Sequence, residues 1–139
     1  MADEVVMDAS VAAKCFFTEE GSALARAFVA GGPVLIAPDL IFAEIASVAS
    51  KKVRRGDISA LLGDEAVHAL DDLIDEVVPT AELAHRAFEL AVAFGFSAYD
   101  GVYLALAERR ATRVVTTDLK LIERAARAGL AGLAGLPGG

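Results

Sequence analysis

Two apolar rhythms alternate along this chain, and that alternation narrows its fold more than any other feature. Val5-Val6-Met7 is a short apolar run that stops at Asp8. Val34-Leu35-Ile36 follows the Gly31-Gly32-Pro33 turn, Ile74 to Val78 stops at Pro79, and Val114-Val115-Thr116-Thr117 stops at Asp118. Between these runs, apolar residues recur near every 3.6 positions over 22–30, 39–55, 59–73, 80–94, 97–110 and 119–128. The first and last runs are apolar on both faces, as parallel strands covered by helices on either side require. The pattern predicts an α/β fold around a central parallel sheet. A chain of 139 residues, 55% of them hydrophobic, holds one such domain with a full core.

Local signals mark several boundaries. Thr80 is placed to cap the helix over 80–94, and Ser97 and Asp100 have capping-box spacing before an apolar run. Gly56 and Gly129 follow helices that end in Lys or Arg, as C-terminal stops do. The chain divides into a folded unit over 1–128 and a Gly-rich segment over 129–139, read as a weak edge strand or a mobile tail.

Several classes are excluded. No apolar run approaches the roughly 18 residues that span a bilayer, and the opening Met-Ala-Asp-Glu is unlike a secretory leader. Cys15 is the one cysteine, so there is no internal disulfide; the simplest home is the cytoplasm. His68 and His85 lack zinc-ligand spacing and are read as structural or surface residues. The seven phenylalanines are read as core rather than as base-stacking platforms. The net charge of −7 is uneven: eight acids and no Lys or Arg lie between Asp57 and Glu82, leaving the rest close to neutral. Local basic surface is therefore available around Lys51, Lys52, Arg54 and Arg55, or around Arg109, Arg110 and Arg113.

Four carboxylates stand out. Asp8 and Asp118 follow the first and last clear strands, at the sheet edge where ligands of open α/β folds bind. Glu44 has Leu40, Ile41, Ile45 and Val48 at helical spacing, and Asp100 has Tyr103, Leu104 and Ala107. Both acids thus sit on apolar faces, where an unpartnered carboxylate is costly. A shared divalent cation satisfies several at once, and Mg²⁺ suits oxygen ligands. Each acid also has a simpler reading: Asp8 as a turn residue, Asp100 as the capping-box acid, Glu44 beside a basic neighbour, Asp118 as a helix cap. Their coincidence carries the case.

These residues resemble a known family. Met7-Asp8-Ala9-Ser10-Val11-Ala12-Ala13-Lys14-Cys15-Phe16 is similar to the opening motif of PIN-domain proteins, especially VapC-type toxins of toxin–antitoxin pairs. Pro38 to Ile45 with Glu44, Ser97 to Ala107 with Asp100, and Val115-Thr116-Thr117-Asp118 resemble the following motifs, in order, from about residue 4 to 128. The resemblance implies an α/β/α sandwich with strand order 3-2-1-4-5, its fifth strand drawn from the Gly-rich tail. It also implies an endoribonuclease dependent on Mg²⁺ or Mn²⁺, an RNA substrate, an inhibitory VapB-type antitoxin and a homodimer. In that reading Asp8, Asp100 and Asp118 hold metal, Glu44 holds metal or orients the attacking water, and Ser10 and Thr116 position a carboxylate or phosphate through their hydroxyls. The alternatives are a non-catalytic PIN-like interaction module and an Asp-based phosphatase or phosphoacceptor domain. For the latter, the Asp8-Ala9-Ser10 stretch lacks the second acid such phosphatases carry.

Overall fold

Val5 and Val6 are fully buried because the first strand lies at the centre of the sheet, between two neighbours and beneath helices. The computed structural model describes residues 2–138. Strands β1 (Glu4–Met7), β2 (Val34–Pro38), β3 (Glu76–Val78), β4 (Val114–Val115) and β5 (Ala134–Gly135) form one sheet in the order β3-β2-β1-β4-β5. Every pairing is parallel: Val6 is opposite Ile36 on one side and Val114 on the other, and Val114 is opposite Ala134. The helices are α1 (Ala9–Phe16), α2 (Ser22–Ala30), α3 (Leu40–Arg54), α4 (Ala60–Leu73), α5 (Ala84–Phe94), α6 (Ala98–Arg109) and α7 (Leu119–Arg127). They cover both faces of the sheet, so the α/β fold that the apolar pattern predicts and the sandwich and strand order that the resemblance implies are all present.

Helix α6 is the structural shaft. Every residue from Gly101 to Ala107 is buried, so its apolar surface runs all the way round rather than along one stripe. It packs against β1, β2, β4 and α5 together. Its two ends are polar. Ser97 caps the N-terminus by accepting the Asp100 N–H at 3.0 Å. Just past its C-terminus, Arg110 donates to Glu4 at 2.8 Å and to Glu76 at 2.8 and 3.0 Å, tying the starts of β1 and β3 together. Arg109 pairs with Glu82. Of the basic cluster expected at Arg109, Arg110 and Arg113, the first two are therefore engaged by acids, Arg110 by the two that begin β1 and β3 at the sheet edge opposite Asp8 and Asp118.

Some expected boundaries move. The helix read over 80–94 is broken: a single 3₁₀ turn covers Thr80–Glu82 before α5 begins at Ala84. Thr80 does not cap that helix. Its hydroxyl donates to Asp39 Oδ1 and accepts the Leu40 N–H, so it serves the start of α3 instead. The Gly-rich tail does supply β5, after a 3₁₀ turn at Ala131–Leu133. Gly56 and Gly129 close α3 and α7 with φ of +80° and +77°, as the stop signals required. The phenylalanines split: Phe17 and Phe96 are core, but Phe88 and Phe94 are 63% and 46% exposed, against the sequence reading. Among the described residues, no single helix is long and apolar enough to cross a membrane.

Gly101 shows how tightly α6 is seated. A Cβ there would lie 2.8 Å from the backbone oxygen of Ala87 and 3.1 Å from its Cα. The obstacle is main chain, so α5 would have to move. Gly101→Ala is expected to destabilise the fold by about 1–3 kcal/mol despite its better helix propensity. A urea titration with an unchanged midpoint would refute that close approach.

Candidate active site

Asp8 follows β1 directly and is the N-cap residue of α1, yet its side chain makes no cap. Its Oδ2 instead accepts two hydroxyls, Ser10 Oγ and Thr116 Oγ1, each at 2.7 Å. Each hydroxyl has one proton, and both are given to Asp8, so the 3.3 Å contact between Ser10 and Thr116 carries none. Both hydroxyls also accept: Ser10 Oγ from Thr117 N–H, Thr116 Oγ1 from Asp118 N–H. This lattice joins the end of β1 to the loop after β4. Asp8 is thus not a turn residue, and its Oδ1 accepts no hydrogen bond among the described residues.

Glu44 lies in the second turn of α3. Its Oε1 accepts a hydrogen bond from the Tyr103 hydroxyl at 2.6 Å, and Tyr103 is only 2% exposed. The basic neighbour of the simpler reading is absent among the described residues; the partner is a phenol. Burial raises the Glu44 carboxyl above the usual range, and the charges on Asp8 and Asp100 add to that, against the Tyr103 hydrogen bond. Burial and the adjacent Glu44 push the Tyr103 phenol far upward, so it remains a donor.

Asp100 occupies the first turn of α6 and is partly buried. It provides the third position of the Ser97 cap through its backbone N–H. Its own carboxyl is raised by burial and by the charges of Asp8 and Asp118, with Ser97 and Arg124 pulling the other way. Asp118 does cap α7: Oδ1 accepts the N–H groups of Lys120 and Leu121 at 3.0 and 3.3 Å. The simpler reading of Asp118 therefore holds, and the residue still reaches the site.

Asp8, Glu44, Asp100 and Asp118 all line one open cavity of about 390 Å³, together with Ser10 and Ser47 and a floor of Ala9, Ala13 and Val48. Thr116 is fully buried behind it. No Lys or Arg is among the lining residues. The like charges facing this space add to the burial that raises Glu44 and Asp100, a cost that a bound cation offsets. No three His, Cys, Asp or Glu side chains among the described residues close up into a complete metal cage. That is compatible with Mg²⁺, which keeps several waters and takes one or two carboxylates. The all-oxygen donor set suits such a hard ion. His68 and His85 are exposed on α4 and α5, away from this chemistry. Cys15 is partly buried in α1, where burial raises its thiol. Lys14 pairs with Glu19 rather than facing the acids.

The residue not recognised as functional from the sequence is Tyr103. Its signal was present: a hydroxyl-bearing ring three residues after Asp100, inside the otherwise aliphatic stretch from Gly101 to Ala107.

Comparison with known proteins shows the family. The PIN domain family model matches residues 5–128. The chain belongs to the PIN-domain family, and its relatives within it carry VapC names. Ribonuclease VapC3 of Pyrobaculum aerophilum is 35% identical over 126 residues, covering 87% of this chain and 94% of the relative. Ribonuclease VapC9 of Mycobacterium tuberculosis is 32% identical over 117 residues, covering 84% and 87%. A crystal structure of PAE2754 from Pyrobaculum aerophilum superposes with a TM-score of 0.68 at 21% identity, covering 89% of this chain and 86% of that one, a likeness of fold.

Two outcomes follow from the buried acids. Tyr103→Phe removes only the hydroxyl and leaves a partly buried carboxylate short of a donor. It should cost about 1–3 kcal/mol at neutral pH, and the cost should shrink once acid protonates Glu44; denaturant midpoints at two pH values read both. Asp100 has a raised folded-state pKa, so its penalty is absent below its unfolded value and grows as pH rises through the folded one. Without divalent ions, Asp100→Asn should therefore melt higher than the parent at neutral pH, with the gain fading in acid. A melting point below the parent's at neutral pH would contradict the assigned strain.

Proposed function

We propose that this protein is the toxin of a toxin–antitoxin pair, an endoribonuclease that hydrolyses RNA phosphodiester bonds with Mg²⁺ or, in its place, Mn²⁺. The reading rests most on the four-carboxylate cavity with no cationic side chain in its lining, at the carboxyl edge of a parallel sheet. Membership of the PIN-domain family and the relatives' ribonuclease names support it.

When bound, the ion supplies an acidified water and positive charge beside the phosphate. Asp8, Asp100 and Asp118 are the residues assigned to hold it. Ser10 and Thr116 fix one oxygen of Asp8, which leaves the other to face the cavity. Tyr103 does the same for Glu44. Glu44, raised by burial, is suited either to bind the ion or to orient the attacking water and take its proton. The water oxygen bonds to phosphorus and one P–O ester bond breaks, leaving a phosphate end and a hydroxyl end.

A VapB-type antitoxin would restrain the enzyme. An open furrow of about 390 Å³ between α3 and α4, largely apolar and lined by Ala46, Ala49, Val53, Ala60 and Val67, offers it a landing. A homodimer is the proposed assembly, and Phe88 and Val92 on α5, 63% and 71% exposed one turn apart, give it apolar surface.

The test is cleavage of a mixed RNA pool with Mg²⁺, with Mn²⁺ and with EDTA, beside Asp8→Asn and Asp100→Asn. Cleavage should need the ion and fall by more than about 100-fold in each variant. An Asp8→Asn protein that cuts at the parent rate would defeat the assignment.

A further inference from the structure

Beside the acidic cavity lies a second cleft of different chemistry. It has a volume of about 420 Å³ and is lined by Phe94, Gly95, Arg124, Arg127 and Ala128, within the range of about 300–1,000 Å³ typical of small-ligand sites. One wall is the end of α5, where Phe94 leaves 46% of its surface to solvent. Its ring is steadied by an edge-on contact with buried Phe96, centroids 6.3 Å apart. The other wall is the cationic side of α7. Arg127 is paired with Glu123, whereas the Arg124 side chain has no hydrogen-bond or ion-pair partner among the described residues. An exposed aromatic ring facing an uncommitted guanidinium is an uncommon use of surface in a chain of net charge −7.

The cleft is tied to the acids on both sides. Phe94 and Gly95 lead directly into Ser97, the cap of the helix that carries Asp100. Asp118 caps α7, and Arg124 follows six residues later, about 9 Å along the helix axis. The Arg124 charge acts on Asp100. Adjoining nucleotides of one strand can therefore occupy the cleft and the acidic cavity together.

We propose that this cleft is a nucleotide subsite for single-stranded RNA flanking the cleaved phosphodiester, with a base stacked on Phe94 and a phosphate on Arg124. The proposal rests on the ribonuclease reading and adds to it where the strand runs. Stacking needs an unpaired base, so a helical duplex is a poor occupant. The competing occupant of an exposed ring is a second copy of this chain. The apolar α5 pair offered for that purpose, Phe88 and Val92, points elsewhere: Phe94 lies about 200° around the helix from Val92.

The experiment combines binding and turnover. The probe is a fluorescein-labelled single-stranded RNA of mixed sequence, about 12 nucleotides long, titrated by anisotropy with Mg²⁺ into the Asp100→Asn protein, which should not cut it. Adding Phe94→Ala should weaken binding on the order of tenfold, and Phe94→Trp should restore it. Arg124→Gln should weaken binding and lower the slope of log affinity against log salt by about 0.7. With Asp100 intact, both Phe94→Ala and Arg124→Gln should raise KM, and Phe94→Ala should leave kcat near the parent value. Circular dichroism and solution mass accompany each variant. Parent-like affinity and KM in folded Phe94→Ala and Arg124→Gln proteins would overturn the subsite while the parent still cleaves. Parent-like RNA affinity with a dimer-to-monomer shift in Phe94→Ala would assign the ring to a second copy instead. A parent that neither binds nor cuts RNA would remove the ribonuclease reading, and this inference with it.

Discussion

Two hydroxyl protons, from Ser10 and Thr116, converge on one oxygen of Asp8, and the rest of the site is arranged around that point. The same hydroxyls receive backbone N–H groups from Thr117 and Asp118, so the loop after β4 cannot shift without breaking the Asp8 contacts. A single carboxylate thereby sets the relative position of two strand ends. Its other oxygen accepts no hydrogen bond among the described residues, and Asp8 lines the cavity. Glu44 is handled the same way by a different donor, the Tyr103 hydroxyl. In both cases one oxygen of the carboxylate is engaged by hydroxyl donors within the fold.

That arrangement stores unfavourable charge. Burial and mutual repulsion raise the protonation ranges of Glu44 and Asp100. A sequence selected only for stability would place neutral groups at these positions. Elsewhere the molecule compensates with a dense aliphatic core, with the Arg110 clamp on Glu4 and Glu76, and with capping by Ser59, Ser97 and Asp118. The acids are tolerated because the elements bearing them are firmly held.

Most of the layered fold is legible in the sequence, because short runs apolar on both faces and apolar residues spaced near 3.6 leave different marks. The apolar runs at Val5, Val34 and Val114 all became strands of one parallel sheet. What failed was side-chain commitment over long distances. Thr80 has good capping chemistry, but its nearest need was at Leu40, forty residues away in the chain. Phe94 reads as core by residue type, yet the bend after α5 leaves it in solvent. The four acids were visible as a set because each sits at a strand end or on an apolar helical face. Tyr103 was hidden because an inward-facing tyrosine looks like any other large core residue until its hydroxyl meets an acceptor.

Helix α6 carries one further meaning. Its middle is enclosed on all sides, its far end is pinned by Arg110, and its near end presents Asp100 and, through Tyr103, aims Glu44. Local openings in proteins begin where exposed backbone and sparse contacts allow, and α6 offers neither along its centre. Asp100 is thus mounted on the first turn of this helix, and Glu44, on α3, is held to the same helix through Tyr103. Opening the acidic cavity therefore means prising α6 from the sheet, so the cavity and the domain are expected to come apart together.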